Sequence, residues 1–277
     1  MALRAKKDLH GSVVAITGAA RGIGLATARA FVEAGSHVAI GDIDEALVRT
    51  VAREIGATGL AVDVSDLDSF TAFLTEVETA LGPVDVLVNN AGIMPIGPLP
   101  EEPEHVTQRM LAINLLGAIH GSKLAMGLMR PRDRGHIVNV ASAVGRFAAP
   151  NAATYSATKF GVVGLTQAIR GELRGSGVEA SVILPAATNT DLVSGLTDTG
   201  PIAEPEDVAA AIVGVVRRPR FETWVPRSNQ RSFKMMQVLP YRWLEAAAHQ
   251  APATGIFLSQ DRAARAAYED RARTPRT

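Results

Sequence analysis

The sequence predicts a doubly wound α/β fold: a parallel sheet of about seven strands with helices on both faces, as a single domain with a C-terminal helical extension. Three observations predict it. Short β-branched runs alternate with amphipathic runs of helical length over the first 200 residues. The strand runs are apolar throughout, which suits strands covered from both sides. Parallel strands joined by helices wind right-handed, and that rule leaves few other topologies.

Val13 to Thr17 reads as the first buried strand; a Gly-rich turn and a helix from Leu25 to Ala34 follow, stopped by Gly35. His37 to Ile40 is the second strand, and the helix from Asp44 to Ile55 stops at Gly56. Gly59 to Val62 is the third. Asp66 caps a helix that runs to about Leu81, before Gly82 and Pro83. Val84 to Val88, His136 to Ala141 and Val178 to Leu184 are the next three strands, the last stopped by Pro185. Between them lie two long helices, 104–129 ended by Pro131 and 152–174 ended by Gly175 and Gly177. A helix from Glu206 to Val216 and a short strand, Thr223 to Val225, complete a Rossmann-like domain over 8–226, with 227–277 as its extension.

The chain has 277 residues, 47% hydrophobic and 20% charged, which is too apolar for disorder. Its 28 basic and 28 acidic side chains cancel, so no nucleic-acid partner is expected. There is no cysteine, which excludes disulfides, thiolate metal sites and a thiol nucleophile, and fits a cytoplasmic location. No run of about 18 apolar residues and no signal peptide are read, so no transmembrane helix is expected. The charge is unevenly placed: residues 1–216 carry 16 basic and 23 acidic side chains, whereas 217–277 carry 12 and 5.

The first strand runs into Thr17-Gly18-Ala19-Ala20-Arg21-Gly22-Ile23-Gly24. Glycines let the chain turn tightly and bring backbone N–H groups at a helix N-terminus up to a pyrophosphate. Without a ligand, the same residues make a plain strand-to-helix turn. The second strand ends in Gly41-Asp42. A carboxylate about 20 residues past such glycines accepts from the ribose hydroxyls of NAD and repels the 2′-phosphate of NADP, so NAD is favoured. Arg21 keeps NADP open, because a basic residue in this loop can serve that phosphate. Asp42 can also cap the helix that follows; the two roles are compatible.

Tyr155-Ser156-Ala157-Thr158-Lys159 sets Tyr and Lys at i and i+4 on one helix face, about 5–6 Å apart at Cβ. A phenol of pKa ~10 is a poor base at neutral pH, and a neighbouring ammonium lowers that value. Bringing it near 7 takes roughly 4 kcal/mol. Lys159 and the positive charge of an oxidised nicotinamide are the expected sources. Ser142 follows the fifth strand, at the edge of the sheet where such folds gather their ligands. Ser142 and Tyr155 are expected to meet over one carbonyl oxygen, Ser142 polarising it and Tyr155 exchanging the proton.

The TGxxxGxG turn, Asn89-Asn90-Ala91-Gly92 after the fourth strand and Tyr155-x-x-x-Lys159 resemble the short-chain dehydrogenase/reductase family in order and spacing, over about residues 10–226. The resemblance implies hydride transfer between a nicotinamide cofactor and a secondary alcohol or ketone. It implies that Gly18, Arg21, Gly22, Ile23 and Gly24 hold the cofactor, that Asp63 and Val64 contact the adenine, and that Asn90, Ala91 and Gly92 line the dinucleotide. Pro185, Thr188 and Thr190 fall at its nicotinamide end, and Lys159 also reaches the ribose. Asn114 matches an asparagine that holds a water on a relay to the lysine; read alone, a polar residue in an apolar helix is also a satisfied core amide. One departure is Pro185-Ala186 where the family has Pro-Gly, since Ala does not take a positive φ cheaply. Members commonly assemble through the two long helices, so a homodimer or homotetramer is expected. The alternative from another class is a catalytically silent dinucleotide-binding protein, which the complete Ser142, Tyr155, Lys159 and Asn114 set argues against. A Rossmann methyltransferase would have no use for Tyr155 and Lys159.

The segment from Ala186 to Pro205 is long for a connection in such a domain, which points to a lid. Leu192, Val193 and Leu196 are expected to face inward. With Ile93, Met94, Ile96, Leu99, Val144 and Phe147 they would line a lipophilic pocket; plain packing between loops would use the same residues. Basic residues over 217–243 are interleaved with Phe221, Trp224, Phe233, Met235, Met236, Tyr241 and Trp243. Three readings stay open: a packed extension with a solvated basic face, a peripheral anchor on anionic lipid that Pro240 would interrupt, and a subunit-contact arm. The stretch from Asp261 to Thr277 is expected to be a short exposed helix or a frayed end. The histidines show no metal spacing, so no metal site is expected.

Overall fold

The structure, a computed structural model, describes residues 7–196, 202–228, 257 and 261–274. Seven strands form one parallel sheet: β1 (Val13–Thr17), β2 (His37–Asp42), β3 (Thr58–Ala61), β4 (Val86–Asn89), β5 (Gly135–Val140), β6 (Val178–Pro185) and β7 (Glu222–Val225). Their order is β3-β2-β1-β4-β5-β6-β7. Chain direction across the sheet reverses between β1 and β4, which opens a crevice beyond their C-terminal ends.

The side chains of β1, β2, β4 and β5 alternate between two cores. Val14 and Ile16 of β1, with Val38, Ile40, Val86 and Val88, pack under α1 (Gly22–Glu33), α2 (Glu45–Ile55) and a later helix, Pro205–Arg217. Val13 and Ala15, with Ala39, Leu87 and Ile137, pack under α3 (Leu67–Leu81) and the two long helices. This double burial is why the strands read as unbroken apolar runs. Polar punctuation sets the helix ends. The Asp66 carboxylate accepts from the N–H groups of Asp68 and Ser69 at 2.8 and 3.1 Å, and Gly56 takes the left-handed conformation past α2.

Element boundaries move by one to three residues from the expected ones. The long helix over 104–129 is α4 (Glu104–Met110) and α5 (Gly117–Met129) joined by a π-helical turn, Leu111–Leu116, which holds Asn114. By length and composition, Glu104–Arg132 is apolar enough to cross a membrane, contrary to the expectation from single-residue runs. Here its inner face is spent on packing: Val106, Met110, Ala118, Ala125 and Met129 are buried. α6 (Ala153–Glu172) lies beside it, α7 is the Pro205–Arg217 helix, and α8 (Arg262–Arg273) is the last described helix. α8 is a short helix exposed on its outer side, as expected, but its inner stripe of Arg265, Tyr268 and Ala272 is buried against the domain. Of the basic and aromatic tail, Phe233, Met235, Met236, Pro240, Tyr241 and Trp243 lie outside the described residues; Phe221 and Trp224 pack against the domain beside β6.

Candidate active site

The C-terminal ends of β1, β2, β4, β5 and β6 open onto a cavity of about 850 Å³. It runs from Asp42 and Asp63, past Gly18 and Asn90, to Ser142, Tyr155 and Lys159. Two loops wall its far end, 92–97 and 186–196, and α8 closes over them.

The glycine loop is held against β4 by an asparagine. Asn90 Nδ2 donates to the carbonyls of Thr17 and Gly18, each at 2.9 Å, while Thr17 Oγ1 accepts from the N–H groups of Asn90 and Ala91. Gly18 has φ of 62°, and a Cβ there would stand 2.7 Å from Ala91 Cα. Only glycine allows that approach. α1 begins at Gly22, and its N-cap residue Arg21 makes no side-chain capping bond. The first-turn N–H groups of α1 thus face the cavity without a side-chain partner, the donor set a pyrophosphate takes. Asp42 does not cap α2; Asp44 does, accepting from Leu47 N–H. Asp42 instead accepts from Ala20 and Asp44 N–H at 3.2 and 3.1 Å, which fixes its carboxylate on the cavity wall.

Ile23, Val64, Ala91, Gly92, Pro185, Thr188 and Thr190 also line the cavity. Two expected contacts do not. Gly24 sits behind the loop, where a Cβ would strike Gly18 O at 2.5 Å, so it is a packing glycine. Asn114 is buried behind the wall. Its Oδ1 accepts from Ile93 N–H and its Nδ2 donates to Ile93 O, both at 2.8 Å, and Nδ2 also donates to Thr158 Oγ1 at 3.3 Å. It clasps the 92–97 loop to the π turn and to α6. Ala186 is not among the positive-φ residues, so the missing family glycine costs no strain.

Tyr155, Lys159 and Ser142 converge. Tyr155 and Lys159 are 5% and 4% exposed, with Lys159 Nζ 5.7 Å from the Tyr155 ring centroid. Lys159 Nζ donates to Val140 O at 3.1 Å. Ser142 Oγ accepts from Val144 N–H at 3.3 Å and hydrogen-bonds the Tyr155 hydroxyl. Burial opposes the acidification that Lys159 and an oxidised nicotinamide are expected to supply. Burial pushes Tyr155 up to about 12, against the smaller lowering effect of the Ser142 bond. Burial likewise pulls Lys159 down to about 8. Desolvation is the largest cause for both groups, because burial disfavours the phenolate and the ammonium alike.

On the substrate side, Leu192, Val193, Leu196, Ile93, Met94, Val144 and Phe147 line the cavity as expected. Ile96 is buried behind them, and Leu99 is 58% exposed on an outer turn. The residues missed are Arg109, Phe257, Tyr268, Arg271 and Ala272, all on the wall. Arg265, Tyr268 and Ala272 recur at i, i+3 and i+7, a buried helical stripe legible in the sequence had the charges around it not drowned it out.

The family model for short chain dehydrogenases matches residues 12–200. The cis-4-hydroxycyclohexanecarboxylate dehydrogenase of Sinomonas cyclohexanicum is 38% identical over 216 residues, 72% of this chain and 87% of that protein. Estradiol 17-beta-dehydrogenase 11 of Mus musculus is 30% identical over 254 residues, 88% and 85% of the two chains. The crystal structure of a short chain dehydrogenase/reductase from Burkholderia phymatum in complex with NAD superposes with a TM-score of 0.77 at 25% identity, covering 83% of this chain and 94% of that one.

Proposed function

Since the chain belongs to the short-chain dehydrogenase family and is an NAD(P)-dependent oxidoreductase acting on CH–OH groups, we propose that it interconverts lipophilic secondary alcohols and ketones with NAD, Tyr155 transferring the proton. The observation that carries this reading is the meeting of Ser142, Tyr155 and Lys159 in one cavity with Asp42 and the α1 N-terminus. Those residues fit a dinucleotide: Asp42 would hold the adenosine ribose, the first turn of α1 the pyrophosphate, and Lys159 the nicotinamide ribose. The bound nicotinamide supplies the acceptor or donor of a hydride at the carbinol carbon and, when oxidised, a positive charge. In the balanced oxidation an alcohol and NAD become a ketone, NADH and one proton.

The protein's own groups handle that proton. Ser142 Oγ and Tyr155 Oη both address the substrate oxygen. With a value of about 12, Tyr155 is a neutral phenol at working pH and serves directly as the acid of ketone reduction. To act as the base of alcohol oxidation near pH 7 it needs positive charge beside it to lower that value. Lys159, at about 8, remains mostly ammonium at neutral pH and contributes part of that. Asn114 acts at one remove, holding the 92–97 loop beside Lys159. The carboxylate-bearing alcohol in the name of the Sinomonas relative and the estradiol in the name of the mouse relative are both secondary alcohols of the class proposed.

Tyr155→Phe tests the assignment. NADH affinity should stay within a few-fold of wild type while kcat falls about 10²–10⁴-fold, the usual worth of a general acid–base. Unchanged turnover would remove Tyr155 from the chemistry. The assembly belongs to the same proposal: a homodimer or homotetramer through α5 and α6, supported by the exposed apolar side chains Leu116, Ile119 and Phe160 along the π turn, α5 and α6.

A further inference from the structure

α8 is joined to both loops that wall the substrate end. Arg265 is fully buried, and its guanidinium donates to Met94 O at 2.6 Å, Leu192 O at 2.8 Å, Ser194 O at 3.1 Å and Glu269 Oε1 at 2.6 Å. Asp261 N–H donates to Gly195 O at 2.7 Å. Gly195 has φ of 72°, and a Cβ there would stand 2.7 Å from Asp261 O, so the approach of helix to loop requires glycine. Arg271 pairs with Asp191 at 2.7 Å, and Arg109 Nε donates to Ala272 O at 3.0 Å. A segment that only rested on the domain would not bury a guanidinium to satisfy three backbone carbonyls of its neighbours.

From this helix Tyr268 enters the cavity wall. It is 7% exposed, lies 4.8 Å under the Arg265 guanidinium, and its Oη accepts from Met94 N–H at 2.6 Å. The bond from Met94 uses the oxygen and leaves the phenolic proton. Among the described residues no acceptor takes it. Burial holds the phenol well above its ordinary range, with Tyr155 among the groups whose charge it feels, so it is a neutral donor near the reacting centre. A buried donor without an acceptor is costly, and in a substrate site the acceptor arrives with the substrate. Arg109 lines the same cavity and adds positive charge, while the charge of Arg271 is met by Asp191, which also pairs with Arg21 of the glycine loop.

Building on the alcohol-oxidoreductase reading, we propose that Tyr268 donates to a second oxygen of the substrate, away from the carbinol, and selects secondary alcohols that carry a carboxylate. Arg265 is the positioning residue that holds Tyr268 and both loops.

The test compares kcat/KM with NAD for matched pairs: 2-butanol with 3-hydroxybutanoate, 2-octanol with 7-hydroxyoctanoate, and cyclohexanol with its 4-carboxylate. In at least one pair the wild type should prefer the carboxylate by about tenfold or more, the worth of a hydrogen bond to a charged acceptor. Tyr268→Phe, its fold verified by NADH binding, should reduce that ratio by about tenfold. A ratio that survives the substitution overturns the proposal. So does a wild type that prefers the unsubstituted alcohol in every pair, a result that needs no variant. Turnover of no alcohol, in these pairs or a wider panel, with either nicotinamide would instead overturn the oxidoreductase reading, and this proposal with it.

Discussion

At the residue scale, the same chemistry that makes this site work makes it expensive. Lys159 is held at about 8 against an ordinary 10.5 because it is buried, so the folded protein binds its proton less tightly than the unfolded chain does. The cost is fully present below pH 8, where both states are protonated, and vanishes above 10.5, where neither is. Lys159→Met should therefore raise stability at pH 7 by up to about 3 kcal/mol while abolishing most turnover, and the gain should shrink as pH rises from 8 to 10.5. Thermal unfolding at pH 7 and pH 10 measures it; an equal gain at both would mean that packing, not ionisation, is responsible. Asp42 carries a second prediction. Asp42→Asn keeps an acceptor for the loop N–H groups but removes the charge facing the ribose. The kcat/KM ratio of NADP over NAD should rise about tenfold or more, and an unmoved ratio would place the discrimination at Arg21 or elsewhere.

At the element scale, glycine spacing and terminal punctuation made most of the fold legible. Gly56, Asp66 and Pro185 act locally, on their own helix or strand end, so their meaning travels with the sequence. The π turn over Leu111–Leu116 was invisible because nothing in Leu-Ala-Ile-Asn-Leu-Leu distinguishes it from an ordinary helix. It exists where Asn114 reaches across to Ile93 and Thr158, and a long-range bond decides it. Gly24 shows the opposite case: the motif has one spelling but two jobs, since Gly18 and Gly22 border the cavity while Gly24 makes room behind them. In sequence α8 reads as surface because six of its twelve residues are charged. Its burial depends on carbonyls supplied by loops about 70 and 170 residues away.

At the scale of the whole molecule, one face is left apolar. Leu111, Leu116, Ile119 and Phe160 are 37–44% exposed along the π turn, α5 and α6. Isolated exposed leucines are ordinary, but a row of them on two adjacent helices suits a self-complementary contact between copies. Introducing Ile119→Glu and Phe160→Glu together should lower the mass seen by light scattering to that of a smaller species, with the monomer's spectrum preserved; an unchanged mass would overturn this contact.

Taken alone, the order of residues determined the architecture and which side chains meet in the cavity. Both rest on short-range periodicity, on the alternation of β and α runs, and on an i, i+4 pair that a helix brings together wherever it packs. Tertiary structure alone decided how those groups ionise and what faces the substrate. Burial lifts Tyr155 and depresses Lys159, and burial is a property of everything packed around a side chain rather than of its neighbours in sequence. The Tyr268 wall exists only because Arg265 finds Met94, Leu192 and Ser194 across the fold.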